Sequence, residues 1–319
     1  MNIDIKRHLK DALFMTDSEL FDLAKTCPHR YKVYEIDKKN GGKRLIAHPS
    51  KELKYIQKLI LDILKANLPI HQSAYAYVVA KNIKENASLH VNNSYLLKMD
   101  FKDFFPSITP GLFFDECEKH SIFFSKDDKD LLANILFWKK KHAKKLVLSI
   151  GAPSSPFISN FIMFSFDALI SEYCITNGIT YSRYADDLTF STNKKEKLSK
   201  LPKLISEKLN SLYRKSIRIN IEKTTFVSKA CSRKVTGLVL TNKDTVSIGR
   251  ERKRQISAMV HQYGIGKMTN SKDIEKLAGL VNFAIYIEPQ FLNFLLKKYG
   301  KEVVNSIYKL KEINKSLID

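Results

Sequence analysis

The chain has 319 residues, with 54 Lys and Arg against 33 Asp and Glu, a net charge of +21. That excess excludes an ordinary enzyme of small neutral substrates and points to a polyanionic partner, nucleic acid before anionic membrane. Hydrophobic residues make up 44% and aromatics 11%, so wholesale disorder is excluded, and the length suits two or three subdomains.

The first fifteen residues lack a signal-peptide core, and no apolar run is long enough to span a bilayer, so no membrane is expected. Residues 4–26 read as short helices spaced by Leu9, Leu13, Leu20 and Leu23. Tyr31–Asp37 alternates as a strand, residues 38–42 turn, and Arg44–His48 returns. Ser50–Leu68 is an amphipathic helix ended by Pro69, with Leu53, Ile56, Leu59, Ile60 and Ile63 on one side. Ser94–Asp100 reads as a strand ending in an acid. Helix follows from Pro110 to about Lys141, then a turn over Gly151–Pro156 and one long apolar helix, Phe157–Thr176.

Thr180–Tyr184 and Leu188–Ser191 read as strands joined through Ala185, Asp186 and Asp187. A helix over Lys194–Lys215 precedes a hairpin of Lys234–Leu240 and Thr245–Ile248, and everything after Arg250 reads as helical and basic. The fold class is α+β, an antiparallel sheet backed by helices and followed by a helical module. Cys27, Cys117, Cys174 and Cys231 form no CxxC pair, which argues against a zinc site or disulfide framework and for a reducing, cytoplasmic setting. Residues 194–319 hold 27 Lys and Arg against 11 Asp and Glu. An acid-bearing catalytic body followed by a basic clamp has this asymmetry; a solvated basic surface is the alternative.

Adjacent aspartates between two apolar strands repel each other unless a cation sits beside them. Hard divalent cations prefer such oxygens. Asp100, at the end of its own hydrophobic strand, would join Asp186 and Asp187 at one sheet edge. Three carboxylates with few bases nearby fit a two-metal phosphoryl-transfer site, one cation serving the attacking 3′-hydroxyl and the other the leaving pyrophosphate, about 4 Å apart.

Tyr184-Ala185-Asp186-Asp187, preceded by Met99-Asp100-Phe101-Lys102-Asp103-Phe104-Phe105, resembles the paired catalytic motifs of reverse transcriptases. Other motifs resemble the family in order: Gly41–Ile46 its fingers hairpin, Ile150–Pro156 the QGxxxSP motif, and Ile219–Thr224 the lysine-bearing motif. Asn86-Ala87-Ser88-Leu89-His90 matches the NAxxH signature of bacterial retron reverse transcriptases, and Val235-Thr236-Gly237 their VTG triplet.

This resemblance implies a right-hand polymerase: N-terminal helices and fingers over 1–95, a palm over 96–240 with a fingers-side helical insertion at about 110–150, and a basic thumb over 241–319. It implies two Mg²⁺ ions held by Asp100, Asp186, Asp187 and the Phe101 carbonyl. Lys43 and Arg44 would offset the triphosphate, and Lys223 would sit near the pyrophosphate. Phe105 would gate the sugar, with Phe104 in the core. Gly151 and Ile150 would lie at the nucleotide; Ile150 stands where the family has Gln, so fidelity or nucleotide affinity should differ. Asp103 would either approach the triphosphate or cap the next helix, and His90 would either contact RNA or satisfy a backbone carbonyl. Asn86, the VTG triplet, Arg250, Arg252, Lys253 and Arg254 would bind nucleic acid, the last four through phosphates.

The resemblance further implies copying of a cognate structured non-coding RNA with deoxynucleoside triphosphates. Priming from a guanosine 2′-hydroxyl would give branched multicopy single-stranded DNA, in antiphage defence with a separate effector protein. A diversity-generating or group II intron-like reverse transcriptase is the alternative enzyme, and a catalytically inactive RNA-binding scaffold the alternative of another class.

Overall fold

The computed structural model describes residues 3–37 and 41–307, so most of the expected turn over 38–42 lies outside the described residues. The chain divides into two compact units, one built from residues up to 81 and 97–226, the other from 82–96 and residues from 227 onward.

The first unit begins with helices Ile5–Leu13 and Asp17–Thr26. Asp4 caps the first, and Thr16 with Glu19 closes a capping box on the second. Tyr31–Asp37 pairs antiparallel with Lys43–Pro49, Tyr31 opposite Pro49 and Asp37 opposite Lys43. Ser50 then caps helix Lys51–Asn67, accepting from the Leu53 amide, and Leu53, Ile56, Ile60 and Leu64 are buried. The central sheet has the order Thr180–Tyr184, Asp187–Thr192, Tyr95–Lys102, Arg218–Ile219. Helices Phe164–Thr176 and Leu201–Tyr213 pack on it through the first and last of these strands.

Several elements differ from the sequence reading. The strand expected to stop at Asp100 continues to Lys102, so that acid lies within the sheet. The stretch from Pro110 is two helices, Pro110–Lys119 and Lys126–Leu136, then a small antiparallel pair of Trp138–Lys139 and Leu146–Val147. The missed start signal is Ser125, whose hydroxyl accepts from the Asp128 amide. The long apolar helix is broken at Met163 into Ser155–Ile162 and Phe164–Thr176, bent by 50°. The stretch 161–164 across the break holds no Gly or Pro from which it can be read. The next helix divides into Glu196–Ser199 and Leu201–Tyr213, with Pro202 in the first turn of the second. No single described helix is long and apolar enough to cross a membrane.

In the second unit, Asn82 caps the short helix Ile83–Ser88. The expected two-stranded hairpin is a three-stranded sheet of Arg233–Val235, Leu238–Leu240 and Val246–Ser247. Thr236 at φ +47° and Gly237 at φ +79° turn the chain between Val235 and Leu238. Positive φ at both central residues is the mark of a tight mirror-image hairpin turn. Helices Arg250–Gly264, Ser271–Ile287 and Gln290–Tyr299 follow. Ile256, Val260, Leu277, Val281, Ala284 and Leu295 form their core with Ala87, Val91 and Leu96 from the earlier segment.

Candidate active site

Asp186 lies in a two-residue turn closed by the Tyr184–Asp187 pair. Ala185, the first turn residue, is buried with φ +56°. A side chain there costs about 1 kcal/mol or more, so the surroundings must hold it. The Phe101 amide donates to the Asp186 carbonyl at 3.0 Å, and the Asn220 amide to the Asp100 carbonyl at 2.7 Å. These bonds bring the turn, the strand carrying Asp100 and the Lys223 segment together.

The charges interact. Burial, then the Asp100 charge, raises the pKa of Asp186. Burial, then Asp186, pushes Asp187 up to about 6. Lys223 Nζ contacts both Asp100 carboxylate oxygens at 3.0 Å. Mutually repelling, half-buried carboxylates are a donor set suited to hard divalent cations, and in that respect the residues fit magnesium. As the side chains stand, no three His, Cys, Asp or Glu groups among the described residues are arranged around a cation position.

The nucleotide-side candidates fall into two groups. Phe105, Ile150 and Gly151 line one cavity of about 400 Å³, together with Tyr77, His48, Lys54 and Lys58. Phe104 is buried and stacked on Phe101, with centroids 5.1 Å apart, while Phe105 packs edge-on against Phe104 and is only half-buried. The Ala47 amide donates to the Ile150 carbonyl at 3.0 Å. At Gly151, φ is +127° and a Cβ would stand 3.0 Å from the Ala47 carbonyl oxygen, so only glycine fits without a shift. Lys43 and Arg44 are exposed on the hairpin. The Arg44 charge offsets a small part of the rise that burial and Asp100 impose on Asp186, whereas Lys43 pairs with Glu35 at 3.0 Å. Asp103 is exposed at φ +46°, and its side chain makes no capping bond, which removes the capping role.

In the second unit, three expected nucleic-acid contacts are corrected. His90 is fully buried, and burial lowers its pKa to about 3. Asn86 and Val235 are fully buried as well. None of these side chains can reach RNA. Their segments build structure: Thr236 Oγ1 donates to the Ile83 carbonyl at 3.2 Å, and buried Arg233 donates to the Val91, Asn93 and Thr241 carbonyls. The NAxxH helix and the VTG turn are therefore parts of one packed element. Gly237, Arg250, Arg252 and Lys253 line a basic groove with Lys229 and Lys234. Arg252 lies over the Phe283 ring, and Lys253 is paired with Glu288. Arg250 and Arg254 are exposed, with no carboxylate partner among the described residues.

Sequence reasoning passed over Arg183, Asp167 and Asn160, which are fully buried in one polar network beneath the Asp186 turn. The available signal was a charged residue inside an otherwise buried strand, Arg183 beside Tyr184.

Residues 36–241 match the family model described as reverse transcriptase (RNA-dependent DNA polymerase). The chain is 45% identical to the retron Ec83 reverse transcriptase of Escherichia coli, over 98% of this chain and 99% of that one. It is 32% identical to the retron Ec86 reverse transcriptase of Escherichia coli, over 88% and 86% of the two chains. Among solved structures it is similar to the telomerase of Candida albicans, with a TM-score of 0.50 and 12% identity, covering 84% of this chain and 56% of that one. At that identity the likeness concerns the fold. With residues 36–241 matched by that family model, and with relatives matched along almost their whole length, the chain belongs to the retron reverse transcriptases and is an RNA-directed DNA polymerase.

Proposed function

We propose that this polymerase copies part of a cognate structured non-coding RNA into branched multicopy single-stranded DNA, starting from a guanosine 2′-hydroxyl, in the bacterial cytoplasm. The observation that carries the catalytic part is the electrostatic cluster of Asp100, Asp186 and Asp187, with Lys223 on Asp100. Asp100, Asp186 and Asp187 would hold two Mg²⁺ ions, with the Phe101 carbonyl as a further ligand. Bound there, the ions supply Lewis acidity to the attacking hydroxyl and the leaving pyrophosphate.

This chain's own residues orient the substrates. Arg44, whose charge reaches Asp186, offsets the triphosphate, with Lys43 beside it on the hairpin. Phe105 borders the cavity shared with Ile150 and Gly151 and leaves no room for a 2′-hydroxyl. Lys223 supplies charge or a proton on the pyrophosphate side. Arg250 and Arg254 track phosphates without reading bases. Antiphage defence with a separate effector protein completes the reading.

Sequencing the nucleic acid that copurifies with the protein tests the proposal. A 2′–5′ branched RNA–DNA supports it; linear RNA alone, from an active enzyme, overturns the priming chemistry.

A further inference from the structure

Arg183 is a fully buried cation whose guanidinium reaches three different backbone segments. Its Nε donates to Asp167 Oδ1 and Oδ2 at 2.9 and 3.1 Å, and its Nη2 to Asp167 Oδ2 at 2.6 Å. Its Nη1 donates to Asn160 Oδ1 at 3.0 Å and to the Ala185 carbonyl at 3.1 Å. Asp167 also accepts from the Tyr181 hydroxyl at 2.7 Å, and the Asn160 amide donates to the Ala76 carbonyl at 2.8 Å. The network thus ties both halves of the bent apolar helix pair to the strand carrying Arg183 and to the segment before Tyr77.

The Ala185 carbonyl belongs to the peptide that enters Asp186. Its direction sets where the Asp186 backbone starts, at the one turn position with positive φ. The turn is fixed on its other side by the Phe101 amide on the Asp186 carbonyl at 3.0 Å. Nη1 is the donor that holds the Ala185 carbonyl on this side of the turn. A guanidinium can serve Asp167 as a fork and still have Nη1 left for two more acceptors; an ammonium cannot cover that span. The 50° bend at Met163 separates Asn160 and Asp167 onto different helices, and Arg183 bonds both.

We infer that Arg183, fixed by Asp167 and Asn160, is a positioning residue for polymerisation: through the Ala185 carbonyl it holds the Asp186–Asp187 turn in register with Asp100. It touches neither substrate nor cation, so its contribution is to geometry. The inference concerns the protein's own backbone and stands apart from the priming chemistry, which a failure here would leave intact.

The test compares Arg183→Lys with Tyr181→Phe in the full chain. Tyr181→Phe removes a bond to the same Asp167 carboxylate without touching the turn. Steady-state single-nucleotide addition, thermal unfolding and amide exchange at Phe101 are read for each. For folded Arg183→Lys, kcat should fall roughly tenfold or more with KM for the nucleotide within about threefold. The Phe101 amide should exchange faster. Tyr181→Phe should lower the unfolding midpoint while kcat stays within about twofold and Phe101 exchange is unchanged. Arg183→Lys with wild-type kcat, or losses of kcat that track stability equally in both variants, would overturn the inference. Should Arg183→Lys fail to fold, Asn160→Ala decides, since it leaves all three Arg183–Asp167 bonds in place. Faster Phe101 exchange with a kcat loss supports the inference, and no change in either overturns it.

Discussion

Lys223 Nζ sits 3.0 Å from each carboxylate oxygen of Asp100, across 123 residues of sequence. The lysine side chain is 60% exposed and the aspartate 12%, so solvent screens the pair and its contribution to stability is small, about 1 kcal/mol or less. Its consequence is local: Lys223 occupies the oxygens that a cation would take. Lys223→Ala should leave thermal stability nearly unchanged and lower the half-saturating Mg²⁺ concentration. If the lysine also acts on the pyrophosphate, nucleotide addition should slow by roughly a hundredfold. Magnesium titration of both proteins at saturating nucleotide checks this. An unchanged rate and an unchanged midpoint would place Lys223 outside the reaction.

Asp186→Asn should abolish DNA synthesis while RNA binding remains nearly intact. The substitution removes a charge from the cation-binding cluster and leaves phosphate contacts elsewhere untouched. Extension and filter-binding assays on the same preparation separate the two properties. Near-normal extension would remove the catalytic core of the proposal.

Asp187 gives a pH signature. Its pKa is pushed from 3.8 to about 6, first by burial and then by the Asp186 charge. Between those values the folded chain keeps a proton that the unfolded chain has lost, so stability falls as pH rises through this window and is level above it. Removing the charge should therefore help the chelator-treated protein at neutral pH. Asp187→Asn should unfold at a higher temperature than wild type at pH 7, by roughly 2–3 kcal/mol at most. The gap should close as pH falls to about 4. Differential scanning calorimetry in chelator, at several pH values, reads it; a gap independent of pH would assign the effect to packing. The same variant should be inactive, because activity needs the charge that stability disfavours.

The elements that position the acids were legible because their signals are local. Alternating apolar runs around Asp186 and before Asp100 read as strands, and Ser50 and Pro69 bracketed a helix now seen over Lys51–Asn67. What stayed hidden depends on partners distant in sequence. The break at Met163 lies in the apolar stretch 161–164, and the buried Arg183–Asp167 pair joins residues 16 apart. Val235-Thr236-Gly237 was read as a nucleic-acid contact. Two successive positive φ values make it a tight turn, and a threonine at φ +47° is not foreseeable from propensity. His90 shows the same limit: spacing offers it as a motif residue, but only packing shows it buried and neutral.

Phe105→Ala should admit ribonucleotides. The half-buried Phe105 ring borders the cavity shared with Ile150 and Gly151, while Phe104 beside it is core. Removing the ring opens space for a 2′-hydroxyl, so deoxynucleotide use should fall less than discrimination does. Competition between deoxy- and ribonucleotide at one template position measures this. An unchanged ratio would make Phe105 a packing residue and move the gate elsewhere.

The basic helix Arg250–Gly264 separates charges that bind phosphate from charges that hold the protein together. Arg250 and Arg254 are exposed, whereas Lys253 is bonded to Glu288, which also accepts from the Ser247 hydroxyl at 2.7 Å. Each phosphate contact releases counterions, so its loss lowers the slope of log affinity against log salt by about 0.7–0.9. Replacing Arg250 and Arg254 with Ala should therefore cut the slope for template–primer binding by roughly 1.4–1.8 and leave unfolding unchanged within about 0.5 kcal/mol. Lys253→Ala should do the reverse. The slope should hold, because that ammonium already faces a carboxylate. Stability should drop by about 1 kcal/mol, because half-buried Glu288 loses its cation while keeping one hydroxyl donor. Fluorescence anisotropy at four salt concentrations, with urea unfolding of the same variants, reads both quantities. A slope insensitive to Arg250 and Arg254 would show that this face of the helix meets solvent. A slope that falls with Lys253 instead would show that the Glu288 pair opens to take a phosphate, and the two classes of charge would then have to be exchanged.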